Sequence, residues 1–316
     1  MEIEGELPVR LIKGHSIARA TPKQVLQIKE ILGKPRLGLE FNYGLKKVES
    51  PGSDPNYPGY TNYILNASRW LYWVINFEGS NHQINKLQFA LNLLENDLEI
   101  GFTIGEDTDG FPIDKHSVSD VNNQTKTSSI FRDEALSTSL APTAIIWSKL
   151  IKINPVQFKP IQKYFDLISA VEESHPPIYR AFSEFNLLNL LPRFSSFATL
   201  ALFAIIESLI THRPNDKEIG DSINHQIRTK IPLLERRFQR RLDVKKFFPE
   251  CETANVWTKL YSYRSCLAHG DEPDFKKSLK VLKNDYAIRL FLRETVKLLL
   301  LQAVLEPDLI SDLKTC

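Results

Sequence analysis

The 316-residue sequence has a single methionine, at its first position, and only three cysteines, Cys251, Cys266 and Cys316. The cysteine count is odd, the spacings are wide and no C-x-x-C occurs. That argues against a disulfide framework and a cysteine zinc site, and points to a reducing compartment. Long apolar runs are lacking. The longest, Phe197 to Ile206 and Leu298 to Leu301, fall short of the ~20 residues a membrane span needs. The start, Met1-Glu2-Ile3-Glu4-Gly5-Glu6, is acidic and has no apolar segment, so no secretory signal is expected. The reading is of a cytoplasmic protein with no membrane partner. No charge sign dominates: 40 Lys+Arg stand against 38 Asp+Glu, a net +2. This excludes a supercharged nucleic-acid tail while leaving room for a local basic patch. With 42% hydrophobic and 25% charged residues, wholesale disorder is excluded.

Familiar chemical motifs are missing as well. There is no G-x-G-x-x-G, P-loop, H-E-x-x-H or G-x-S-x-G. The seven histidines (15, 82, 116, 175, 212, 225 and 269) do not pair at metal-ligand spacing. Glu106, Asp107, Asp109 and Asp114 suggest calcium ligands, but the EF-hand spacing and its closing glutamate are absent. No metal and no cofactor are assigned.

The length suggests two domains, and composition shifts near residue 155. The expected fold is α+β overall: a mixed α/β domain over 1–154, then an all-α bundle over 155–316. In the first half, Thr21 and Pro22 open a helix over 21–33. Proline and glycine recur over 51–59, which must be a loop. Strands are expected at 60–65, 70–77 and 100–104. Asn81 caps a helix to Leu94, with Ile84, Leu87, Leu91 and Leu94 on one face. The polar stretch 106–143 reads as a long surface loop. Helices are expected at 157–173, 178–191, 194–211, 217–242, 253–268 and 276–304. Between them stand Pro176-Pro177, Pro192, Pro214, Phe248-Pro249 and Gly270.

Two residues stand out in the helical half. Glu207 is almost the only ionisable group in the apolar run from Phe197 to Ile210. A helix apolar nearly all round is buried, and a buried carboxylate needs a partner or a shifted pKa. Arg264 lies on the stripe of Val256, Leu260 and Leu267, so it wants a carboxylate, and Glu207 is the candidate. Such a pair can serve helix packing alone. His269 adds a second chemistry. Gly270 is a natural helix stop, which sets His269 at a helix end, where the dipole favours a cation. Arg264 and His269 are five apart, about 140° around an ideal helix. A fixed cation and a group that titrates near neutrality suit metal-free phosphodiester cleavage, in which the RNA 2′-OH attacks its own phosphate.

The segment Tyr261-Ser262-Tyr263-Arg264-Ser265-Cys266-Leu267-Ala268-His269-Gly270 resembles the R-x4-6-H signature of HEPN domains, in the Y-x-x-R-S-x-x-x-H-G form of the Apea-like branch. The resemblance covers roughly residues 195–305, and the N-terminal half carries none. It implies a helical bundle that dimerises, bringing two motifs into one cleft. It also implies a metal-independent endoribonuclease of a toxin–antitoxin, CRISPR-associated, abortive-infection or other antiviral system, with an antitoxin or trigger protein as a further partner. Carried over, Arg264 and His269 are the catalytic pair. Ser265 holds the position after the arginine where the family favours a polar residue, and Glu207 orients or neutralises Arg264. Some HEPN toxins carry a tyrosine two residues after the histidine; here that position is Asp271.

Charge supports an RNA partner, single-stranded by expectation. Arg228, Lys230, Arg236, Arg237, Arg240, Arg241, Lys245 and Lys246 face only Glu235 and Asp243 over this stretch. The first six are the expected RNA-binding residues. The bland alternative is a solvated helix face. Phe238, Phe247 and Phe248 are expected to pack into the bundle. Two other readings stay open. One is a non-catalytic HEPN module for dimerisation or for binding RNA or a partner protein. The other is a partner subunit for a nucleotidyltransferase.

Overall fold

Every described strand lies within the first 153 residues, and from Ile161 onward the described chain is helix and turn. The chain is thus α+β in class, as its composition suggests. The structure, a computed structural model, describes residues 2–33, 45–49, 61–65, 72–77, 80–95, 98–105, 125–132, 152–188, 191, 195–214 and 222–315. It divides into two compact units, Met1–Gln162 and Lys163–Cys316, a few residues beyond the composition shift.

The first unit runs β1 (Glu2–Ile3), β2 (Val9–Ile12), β3 (His15–Arg19), α1 (Pro22–Gly33), β4 (Leu45–Glu49), β5 (Thr61–Leu65), β6 (Trp73–Phe77), α2 (Asn81–Asn92), β7 (Leu98–Gly105), β8 (Thr125–Arg132) and β9 (Lys152–Ile153). The main sheet is antiparallel in the order β2-β3-β6-β8-β7. In β6, Trp73, Val74, Ile75 and Phe77 are all buried, so both faces of this central strand are covered. α1 starts as expected: Thr21 Oγ1 accepts from the Gln24 N–H, and Gln24 Oε1 accepts from the Thr21 N–H, a capping box. α2 is capped by Ser80 rather than Asn81, again with a capping box, closed by Gln83. From within α2, the buried Gln88 amide acts on β7 as a neighbouring strand would. Its Nε2 donates to the Leu98 carbonyl at 2.9 Å, and its Oε1 accepts from the Ile100 N–H at 2.6 Å.

Three expectations for this half need correction or fall outside the described residues. Part of the expected loop 106–143 is strand β8. Its Ser- and Thr-rich sequence is drawn into the sheet by pairing on both sides, which outweighs a polar composition. The β2–β3 hairpin was not foreseen. It turns at Lys13-Gly14, with Gly14 at φ 78°, a conformation glycine adopts without steric cost. Residues 51–59, and Glu106, Asp107, Asp109 and Asp114, lie outside the described residues.

The second unit contains α3 (Ile161–Ser174), α4 (Pro176–Leu187), α5 (Ser196–Ile210), α6 (Ile223–Glu235), α7 (Val244–Phe247), α8 (Val256–His269), α9 (Asp285–Leu305) and α10 (Pro307–Thr315). α9 is its centre, packed by α4, α5, α7 and α10. Phe247, Phe248 and Trp257 gather around Phe291 with ring centroids 5.2–5.6 Å from it, so Phe247 and Phe248 do pack inward. Two expected helices are shorter. Of the helix expected over 217–242, residues 217–221 lie outside the described residues and the helix ends at Glu235, and the helix over 276–304 begins at Asp285. There the Asn284 side chain accepts from the Ala287 N–H and starts the helix afresh. α10 was not expected at all. No described helix is long and apolar enough to cross a membrane.

His15 sets a pH limit on the first unit. Its ring is 4% exposed and stacks on Phe77 at 5.4 Å. Nδ1–H donates to the Lys13 carbonyl at 3.1 Å, while the buried Nε2 has no hydrogen-bond partner. Burial holds the imidazole below its usual value of 6.5, against the raising effect of the Lys13 carbonyl. The folded ring stays neutral where the unfolded one is charged, so unfolding takes up a proton below that value. Stability is therefore expected to fall as pH drops below about 6.5, by at most about 1.4 kcal/mol per pH unit from this group. Denaturant unfolding followed from pH 7.5 to 5 should show this slope in the natural protein and lose it in His15→Leu. An identical slope in both proteins would refute the assignment.

Candidate functional site

The site lies where α5 meets α8. α5 opens on Ser195, whose Oγ accepts from the Ala198 N–H. It buries Ala198, Thr199, Leu202, Phe203, Ile205, Ile206, Leu209 and Ile210. Glu207 falls one step off this surface, its side chain 16% exposed. α8 buries Val256, Trp257, Leu260 and Tyr263, and then the stripe runs outward, so that Arg264 is 32% exposed. Arg264 Nε stands 3.4 Å from Glu207 Oε1. The approach is not aligned as a hydrogen bond, and both atoms are buried without another partner. The contact is therefore Coulombic. The pairing inferred from the two isolated charges is present.

A third residue completes the cluster. The Arg264 guanidinium lies over the Tyr261 ring, 5.6 Å from its centroid, an attractive arrangement for a cation and a π face. Burial pushes the Glu207 carboxyl above its usual range, and the Arg264 charge pulls it partly back. The Tyr261 hydroxyl is raised by burial and by Glu207, with Arg264 acting against both. Glu207, Arg264 and Tyr261 thus feel one another's charge. Tyr261 was read only as part of a motif. The signal was its i, i+3 spacing from Arg264, which sets the two side by side on a helix.

His269 is the last residue of α8 and is exposed. Gly270 takes φ 79°. The Gly270 N–H donates to the Leu267 carbonyl, and the Asp271 N–H to the Cys266 carbonyl at 2.9 Å. These paired bonds are a Schellman motif, the stop expected at Gly270. No hydrogen bond or ion pair joins His269 to Arg264 or Glu207 in this single chain. Ser265, next to Arg264, is half-buried. Below this surface Tyr263 donates to Asp285 at the start of α9, which fixes α8 against α9.

The basic stretch is largely spent on the fold. Lys230 is a correction: it is 7% exposed, not on the surface. Its Nζ donates to the Ile210 carbonyl at 3.0 Å and to Gln226 Oε1 at 3.3 Å, so its charge caps the C-terminal end of α5. Its place between the buried residues Ile227, Ile231 and Leu234 was the available signal. Arg237 pairs with Glu306, its Nε 2.6 Å from Oε2. Arg240 stands 3.7 Å from Glu294. Arg241 lies near Glu235, whose carboxyl is raised by burial and lowered by Arg241. Arg236, Arg241 and Lys245 line a cleft of about 290 Å³, but Glu235 and Asp243 line it too. Arg228 and Arg236 remain exposed. Among the described residues no group of three or more His, Cys, Asp or Glu gathers as a metal site.

Set against protein-family models, curated proteins and solved structures, the chain matches none.

The Glu207–Arg264 contact makes a measurable demand on stability. Removing one member of a half-buried pair leaves the other desolvated and uncompensated. Glu207→Leu and Arg264→Met are each expected to cost about 1–3 kcal/mol in denaturant unfolding, and the double variant less than the two costs added. Strictly additive costs would show that the two side chains do not interact.

Proposed function

We propose that the second unit is a HEPN-type bundle of the Apea-like branch and that it cleaves single-stranded RNA without a metal, as a homodimer. The observation that supports this most is the pairing of Arg264 with a carboxylate from another helix, beside an exposed histidine on a glycine-stopped helix end. Glu207 and Tyr261 restrain the Arg264 guanidinium. His269 is exposed at the end of α8, where its imidazole can take part in proton transfer.

In the proposed reaction the RNA 2′-oxygen attacks the adjacent phosphorus as its proton leaves to a His269 imidazole. Negative charge grows on the non-bridging oxygens, where Arg264 offsets it. The P–O5′ bond then breaks and the 5′-oxygen takes up a proton, leaving a 2′,3′-cyclic phosphate and a 5′-hydroxyl. Glu207 is a positioning residue here, and Ser265 offers a hydroxyl next to Arg264. In one chain the two catalytic side chains project about 140° apart around α8. A cleft between two copies lets the histidine of one copy serve the arginine of the other. An antiviral or toxin setting, with an antitoxin or trigger protein as partner, belongs to the same proposal.

One observation favours the alternative, a non-catalytic module for dimerisation or binding: Arg264 is already engaged by Glu207 and Tyr261. His269→Ala separates the two. Incubated with labelled single-stranded RNA in EDTA, the natural protein is expected to cleave and His269→Ala to lose roughly 10²–10⁴-fold in rate. Its unfolding free energy should stay within about 0.5 kcal/mol, as for an exposed side chain. Cleavage by both proteins, or a loss of stability without a loss of cleavage, would sink the ribonuclease reading.

A further inference from the structure

A cleft of about 290 Å³ opens at the end of α6, and the proposed cleavage makes no use of it. Its walls come from the last turn of α6, the start of α7, and Thr253 in the turn that leads into α8. Three cations line it, Arg236, Arg241 and Lys245, and so do two acids, Glu235 and Asp243. Glu235 is half-buried and the other four are exposed. The apolar part of the lining is Pro232, Leu242 and Val244.

These charges are answered unequally. Asp243 is spent on the backbone: its Oδ1 accepts from the N–H groups of Lys245 and Lys246 at 3.1 and 3.3 Å, which starts α7. Lys245 Nζ donates to a neutral group, the Pro249 carbonyl, at 3.2 Å. Among the described residues, the Glu235 carboxyl has neither a hydrogen bond nor an ion pair, and the same holds for the guanidinium groups of Arg236 and Arg241. Burial raises the Glu235 carboxyl and Arg241 lowers it, so these two charges sense each other without meeting.

Such a lining selects by charge. A plain anion would meet the cations and also lie against the Glu235 carboxylate. A plain amine would meet Glu235 and also lie against three cations. Desolvated charges are tolerated when paired, and a molecule with both signs on neighbouring atoms pairs them all. Its ammonium answers Glu235 and its carboxylate answers Arg241, with Arg236 and Lys245 beside it. Volume narrows the choice further. Pockets for drug-sized ligands run from ~300 to ~1,000 Å³, so this cleft suits something smaller. Pro232, Leu242 and Val244 offer apolar surface for one short hydrocarbon side chain. We propose that the cleft binds a free α-amino acid with an aliphatic side chain. The proposal does not rest on the ribonuclease reading, since Glu207, Arg264 and His269 do not line the cleft.

The test is isothermal titration calorimetry on the full chain. Its probes are L-leucine, 4-methylpentanoate, 3-methylbutylamine and inorganic phosphate. The second probe lacks the ammonium of leucine and the third lacks its carboxylate. L-leucine is expected to bind with a dissociation constant on the order of 0.1 mM. Each fragment should bind roughly tenfold more weakly, the usual loss for one charged hydrogen bond. Glu235→Gln is expected to weaken L-leucine by the same factor and to take 4-methylpentanoate as well as L-leucine. A variant that merely unfolds cannot show that change of preference. Arg241→Gln should weaken L-leucine likewise. Arg228→Gln, which removes an exposed cation outside the cleft, should match the natural protein. No binding of L-leucine at about 10 mM, a hundredfold above the expected constant, would overturn the proposal. So would a fragment or phosphate that binds the natural protein as tightly as L-leucine, or equal weakening in Arg228→Gln.

Discussion

From Thr295 to Val304, α9 has no exposed face: all ten residues are buried. A helix so enclosed cannot stand alone in water, and its neighbours exist to cover it. α5 is the largest of these covers, and it is itself apolar almost all round. The one carboxylate on α5, Glu207, is consequently held at the margin of a core that disfavours its charge. Arg264 reaches it from α8 for the same reason. The candidate site is thus a by-product of how the central helix is enclosed, which explains why it sits at a junction of α5 and α8 and not in a deep cavity.

The same constraint accounts for the cations. Where α5 ends, its last carbonyls point into the bundle, and Lys230 supplies a donor there. Where α9 ends, Glu306 faces Arg237, and the Gln302 amide donates to the same carboxylate. Charges close to helix ends are recruited to satisfy those ends. The lysines on the α8–α9 connection are not, since Asp274 and Asn284 already cap its turns.

Legibility from sequence followed the same physics. Glu207 and Arg264 were readable because each is an isolated charge in an apolar pattern, and isolated buried charges seek each other. Gly270 was readable because few residues other than glycine tolerate its backbone angles. Lys230 was not, because a count of basic residues ignores which helix face each one occupies. β8 was missed because a strand flanked by two others takes its order from its neighbours, not from its composition. The break at Asn284 was missed because the apolar spacing runs on through it: Leu279 and Leu282 satisfy a helical pattern while belonging to tighter turns. None of these cues spoke to what the first unit does.

The connection between α8 and α9 is held at both ends and in the middle. The Schellman motif at Gly270 fixes its start, the Asn284 cap and the Tyr263–Asp285 bond fix its finish, and Phe275 and Lys259 anchor its body. Its fourteen-odd residues behave as a bracket and not as a tether. The conformational entropy of this segment is surrendered when the chain folds, so the end of α8 is held in place relative to the start of α9. Lengthening it by a few glycines would keep every side chain and still loosen that hold.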